Sequence, residues 1–143
     1  MDWYQRPDFC RWNIVIGNQV YQKLEVEHTR INLHLDSLGV YRAGGHWYPE
    51  IIVPENDNLN FETARIQIQG LKLITYGWSG PIEHIISAET PWTDEEIIKV
   101  IYPLSFKDRI ELHVVWQLFP SIWRVLVDTS TGEVIHTEPT VIF

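Results

Sequence analysis

Six histidines, His28, His34, His46, His84, His113 and His136, are the first residues to weigh, because imidazole is a common metal ligand and general base. No pair has the four-residue spacing around a glutamate that places two zinc ligands on one helical face. If residues 29–36 form a strand, His34 and Asp36 share a face and could supply two ligands, with a third from elsewhere. Histidine on a mixed surface is more often hydrogen-bonded or solvated, so no metal site is assigned. Cys10 is the single thiol, and Arg11 beside it could lower its pKa. It lies in a short aromatic segment without a glycine-rich turn or a fixed base, so it reads as a structural cysteine. Ser79, in Gly77-Trp-Ser-Gly80, reads as hairpin chemistry rather than a nucleophile elbow, because a proline-led strand follows instead of a helix. Asp94, Glu95 and Glu96 read as a helix start, and Asp128 and Glu133 as turn flanks. No catalytic residue is assigned, no phosphate loop or dinucleotide fingerprint is present, and no cofactor is expected.

The elements that would position these residues are uneven in clarity. Residues 12–16 read as a short strand ending at Gly17. Over residues 18–38, Val20, Leu24, His28, Ile31, Leu35 and Leu38 recur at three- and four-residue spacing, with Asn18 and Gly39 as caps. The same stretch alternates from 29 to 36, as a strand would. The helix is preferred for its length and its two caps. Residues 42–60, with Gly44-Gly45, Pro49, Pro54 and Asn56-Asp57-Asn58, read as loops around one short strand at 50–53. Between 61 and 70, Ala64 and Ile68 fit a helix while Ile66 and Ile68 fit a strand. Residues 71–86 read as a hairpin turning through Gly77 and Gly80.

Thr93 opens the clearest helix, 93–101. Its hydroxyl and Glu96 form a capping box, Asp94, Glu95 and Glu96 sit at the positive end of the dipole, and Pro103 stops it. Residues 112–118 alternate as a strand, Pro120-Ser121 breaks the ladder, and Trp123, Val125 and Val127 continue one face of the next strand. Gly132 supplies the residue that a bulged turn demands. An ungapped echo relates residues 72–84 to 124–136, which either a duplicated half or two similar hairpins would produce. The fold class expected is therefore α+β: an antiparallel sheet of hairpins with one long and one short helix packed on it, in a single compact domain over 1–143.

Composition bounds the function. A 45% hydrophobic share with seven Trp, six Tyr and five Phe supports a globular core without staples. A net charge of −8 without a basic cluster disfavours nucleic acid and anionic membranes. It suits solubility, or complementarity to a basic partner. The N-terminus lacks the charged and apolar regions of a signal peptide, and no run approaches the roughly 18 apolar residues of a spanning helix, so cytoplasmic placement is expected unless an upstream signal or anchor has been removed.

Thr93-Asp-Glu-Glu-Ile-Ile-Lys99, then Val115-Trp116, then Ile122-Trp-Arg-Val-Leu-Val-Asp-Thr-Ser-Thr-Gly-Glu-Val-Ile135 together resemble the PepSY-type module of thermolysin-like propeptides and bacterial regulatory proteins. The resemblance covers about residues 87–138. It implies a helix packed on an antiparallel sheet and a non-catalytic inhibitory or regulatory role. Two PepSY-like halves are what the internal echo would then imply.

Trp47, Tyr48, Trp78 and Trp92 all fall in expected loops, where a core does not require them, and large aromatics on loops often anchor interfaces. With Asp94 and Glu95 they form the expected partner-binding set. The function expected is a non-enzymatic module that inhibits or regulates another protein, of basic character, in the manner of an immunity protein, an antitoxin or a propeptide. Aromatic patches would serve a homodimer equally well. The alternative is a small-molecule binding or catalytic domain with an aromatic-lined pocket and inward-facing groups from His28, Arg30, His34 or His113.

Overall fold

A period of two writes the first sheet: Trp12, Ile14 and Ile16 share one face of the first strand, and Ile31, Leu33 and Leu35 alternate with Asn32, His34 and Asp36 in the next. In the computed structural model, which describes residues 11–54, 58–92 and 98–140, strands β1 (Arg11–Ile16), β4 (Arg30–Asp36) and β5 (Gly39–His46) pair antiparallel in the order β1-β4-β5. A small ribbon, β2 (Val20–Tyr21) with β3 (Leu24–Glu25), lies between β1 and β4 in sequence. These strands belong to a compact unit spanning Met1–Ile51, and a second unit spans Ile52–Phe143.

The long helix expected over 18–38 is not formed; three strands occupy that stretch. The three- and four-residue recurrence arises because Val20 and Leu24 belong to two short strands, Ile31 and Leu35 share one face of β4, where a period of two also yields a spacing of four, and His28 and Leu38 fall in turns. The turn that breaks it passes through Gln22 and Lys23, both at positive φ (49° and 68°). Neither residue type announces the mirror-image turn that Asn-Gly would. The loop expected from residue 42 is strand β5 as far as His46, and residues 50–53 form no strand. Gly45 explains the mistake. Its φ is +139°, and a Cβ there would collide with the backbone of Arg30 and Ile31, its partner across the ladder. It is a strand glycine chosen for close approach. Gly45→Ala should therefore destabilise this sheet by about 1–3 kcal/mol, seen as a lower urea midpoint; an unchanged midpoint would refute the close approach.

In the second unit the helix expected over 93–101 is contradicted where the chain is described. Ile98–Ser105 is strand β8; residues 93–97, including the capping box, lie outside the described residues. The β-branched run Ile98, Val100 and Ile101 suits a pleated surface. Pro103, read as a helix stop, is instead tolerated because β8 is an edge strand of its four-stranded sheet. Strands β9 (Ile110–Leu118), β10 (Trp123–Asp128) and β11 (Val134–Pro139) complete that antiparallel sheet. The turn into β11 uses Gly132 at φ +78°, where the Gly132 amide donates to the Asp128 carbonyl and the Asp128 amide to the Glu133 carbonyl, both at 2.9 Å, the two-against-one pattern of a bulged turn; a separate register shift lies at Leu126/Val127.

One face of this sheet is the principal core. Leu118, Trp123, Val125 and Val127 pack with Ala64 and Ile68 of the helical segment and with Leu73 and Ile86. Helix α1 (Phe61–Gln67) starts where the Asn60 side chain accepts from the Thr63 amide at 2.8 Å. Seven residues are too few for a self-sustaining helix, so packing of Ala64 holds it. The Trp116 indole donates to the Leu59 carbonyl at 2.7 Å, and the Leu59 amide donates to the Thr129 carbonyl at 2.9 Å, fixing the helix start to the sheet. The expected hairpin forms as β6 (Lys72–Gly77) and β7 (Gly80–Ile85), a two-stranded ribbon of its own. The protein is thus mostly antiparallel β with one short helix among the described residues, not α+β with a long and a short helix.

Candidate interaction site

The β6–β7 ribbon is buried at its base and open at its tip. At the base, the Gly70 amide donates to the Ile86 carbonyl at 2.7 Å and the Ile86 amide to the Leu71 carbonyl at 3.0 Å. Leu73 and Ile86 both enter the core. Alternation then places Ile74, Tyr76 and Ile85 on the opposite, outer face, and all three are exposed. A cross-strand Lys72–Glu83 ion pair at 3.0 Å lies on the same face. Gly77 pairs with Gly80, so Trp78 and Ser79 alone make the turn, and Trp78 projects beyond the ribbon. Its relative exposure is 107%, and that of Tyr76 is 76%. A ring wholly in water contributes nothing to the core, and large apolar side chains gathered on one exposed ribbon mark a contact surface.

The other expected partner-binding residues are placed differently. Trp47 follows β5 in the first unit and is exposed. Tyr48 is half-buried and its backbone is clamped by Gln19, whose Nε2 donates to the Tyr48 carbonyl at 2.7 Å while its Oε1 accepts from the Tyr48 amide at 2.9 Å. Its ring meets His46 edge-on at 4.8 Å, and burial pushes its hydroxyl pKa up. Trp92 packs partly buried against the principal core, with the Arg65 guanidinium over its ring at 4.4 Å, so it lids that core. Asp94 and Glu95 lie outside the described residues.

The titratable groups of the four-stranded sheet are tied to one another. His113 Nδ1 lies 2.7 Å from Asp128 Oδ2, and its Nε2 lies 3.1 Å from Glu111 Oε1. Asp128 Oδ1 accepts from the Ser130 amide at 2.8 Å and hydroxyl at 2.7 Å, and Arg109 donates to Glu111 at 2.8 Å. Burial works against the charged form of Asp128, but the Ser130 hydroxyl and amide, with His113, outweigh it and hold its pKa below the usual carboxylate value. At Glu138, burial is likewise outweighed by Arg124 and His136, and its pKa is lowered.

The two ring nitrogens of His113 face carboxylates in different directions, so its partners diverge instead of converging on a common point. Among the described residues, no group of three His, Cys, Asp or Glu side chains is arranged to hold a metal ion. His34 and Asp36 do share a face of β4, but Asp36 Oδ1 accepts from the Leu38 amide at 2.8 Å in a turn.

Because Asp128 has a depressed pKa in the folded chain, its stabilising effect is complete above the unfolded value, near 3.9, and is lost as pH falls through the folded value. Asp128→Asn should cost about 1–3 kcal/mol at neutral pH. The gap to the unchanged chain should shrink as pH falls below the unfolded value and through the lower folded one. Urea titrations at several pH values would read this, and a pH-independent gap would refute it.

Sequence reasoning named Trp78 but missed Ile74, Tyr76 and Ile85, although the alternation of β6 and β7 carried that signal. The link of His113 to Asp128 was not legible, since the two meet only through the β9–β10 register. No helix among the described residues is long and apolar enough to cross a membrane. Comparison with known proteins brings no further constraint: no family model, curated protein or solved structure significantly matches the chain.

Proposed function

We propose that this chain is a non-enzymatic protein-binding module whose β6–β7 hairpin docks on a partner protein, with Trp78 as the anchor. The observation that carries this reading is the fully exposed Trp78 ring at the tip of a ribbon whose base is locked into a core. Rigid aromatics bury much area at little entropic cost on binding, which is why they dominate interface energies.

The partner's character follows from charge. Residues 52–143 hold thirteen acidic against six basic residues, and residues 1–51 six against five, so the acidity belongs to the unit that bears the hairpin. A basic partner would be steered toward that unit. The inhibitory or regulatory role implied by the PepSY-type resemblance, in the manner of an immunity protein or a propeptide, is the biological form this docking takes. Side chains that chemistry would recruit, His113, Asp128 and Ser130, are spent on one another, which favours docking over catalysis.

The test is capture from the native host with the unchanged chain and Trp78→Ala as parallel baits. A stoichiometric basic protein retained by the first bait, lost from the second and weakened by salt is the expected result. Co-purification of a metabolite or metal in place of a protein would reject the reading.

A further inference from the structure

The sheet of the first unit is amphipathic across all three strands. Its ladder aligns three rows: Trp12 with Leu35 and Val40, Ile14 with Leu33 and Ala43, and Ile16 with Ile31 and Gly45. All nine residues of these rows are apolar or small. The intervening rows, Arg11 with Asp36 and Gly39, Asn13 with His34 and Arg42, and Val15 with Asn32 and Gly44, are polar but for Val15 and the glycines. Neighbours along a strand point to opposite faces, so one face is uniformly apolar. That face is open: Trp12, Ile14, Ile16 and Val40 have relative exposures between 43% and 53%. An apolar sheet face of this kind is stable in water only against a second layer.

We propose that the second layer is the same face of a second copy of this chain, giving a two-fold symmetric β-sandwich. Two features favour a copy over a different protein. The face carries no charge and its unit is close to neutral, six acidic against five basic residues, so like surfaces meet without repulsion. The face is also self-complementary in size. One edge column holds Trp12, Ile14 and Ile16, and the other Val40, Ala43 and Gly45. A two-fold axis parallel to the strands sets β1 of one copy over β5 of the other, laying large side chains on small ones.

From strand spacing the face measures roughly 15 Å by 17 Å, a few hundred Å² per copy against about 800 Å² in a standard interface. The dimer is therefore weak and transient. Because the face lies in the other unit, this inference is independent of the hairpin, and Trp78→Ala should leave the dimer unchanged.

Sedimentation of the full chain between about 1 and 500 μM should show a monomer–dimer equilibrium. Ile14→Glu should weaken it at least about tenfold, since a carboxylate would be buried without a partner. Asn13→Glu, one residue away on the polar face, should leave it intact. Ala43→Trp should also weaken it, because it fills the space that β1 of the other copy needs, and circular dichroism would show that each variant is folded. A monomer at every concentration overturns the proposal. So does a dimer that survives Ile14→Glu, or one that survives Ala43→Trp.

Discussion

Trp78→Ala should abolish partner capture while leaving the urea midpoint where it was. The two halves of that statement rest on one geometric fact: the ring has no protein neighbour to lose and the whole of its surface to offer. Surface substitutions away from special features change stability by less than about 0.5 kcal/mol. Truncating an interface anchor costs about 2–4 kcal/mol, which is roughly 30- to 1,000-fold in affinity. Calorimetry against the captured partner would measure this. Tyr76→Ala, on the outer face beside the tip, should lose less. Ile66→Ala, at an exposed apolar position on α1, should lose nothing, which separates loss of a specific anchor from loss of surface hydrophobicity. Affinity unchanged by Trp78→Ala would remove the hairpin from the interface and the proposed function with it.

Strands with one continuous period-two apolar face, Trp12, Ile14 and Ile16 in β1, Leu112, Val114, Trp116 and Leu118 in β9, and Trp123, Val125 and Val127 in β10, were legible in the sequence, as was the hairpin framed by Gly77 and Gly80. What misled was signal shared between two structures. Residues 18–38 satisfied a helical period because short strands happened to space their apolar residues by three and four, and the turn at Gln22-Lys23 carried no glycine to announce it. At β8, Pro103 looked like a terminator, and only its position on a sheet edge, a property of tertiary order, makes it a strand residue. Gly45 looked like a loop for the same kind of reason, since the atom that forbids a side chain there belongs to Arg30, fifteen residues earlier. The site was legible in part. Trp78 stood out as an aromatic between glycines, whereas Trp92, beside Pro91, read equally as a loop aromatic and turned out to cover a core. Local sequence distinguishes a turn from a strand; whether a turn's side chain faces water or protein is set by what the rest of the chain brings to it.

Trp123→Ala should produce the largest loss of stability of any substitution considered, about 3–5 kcal/mol. Trp123 opens β10, its ring is only 4% exposed, and it packs in the cluster that joins the sheet to α1 and to the base of the hairpin. Removing the indole leaves a cavity among Leu118, Val125, Ala64 and the other members of that cluster, where backbone held on both sides of β10 by β9 and β11 cannot collapse to fill it. A domain of ordinary stability, about 5–15 kcal/mol, would lose from about a fifth of its margin to all of it. Trp123→Phe keeps an aromatic ring in place and should cost less. Urea unfolding would rank the three chains. The contrast with Trp78 is the sharper test, since both are tryptophans in the same unit, separated only by what surrounds them. Below its unfolding midpoint the Trp123→Ala chain should still bind the partner, because the hairpin tip touches nothing that the substitution removes. Wild-type stability in Trp123→Ala would mean that this sheet face is not the core, and the anchoring of the hairpin base would then need a different cause.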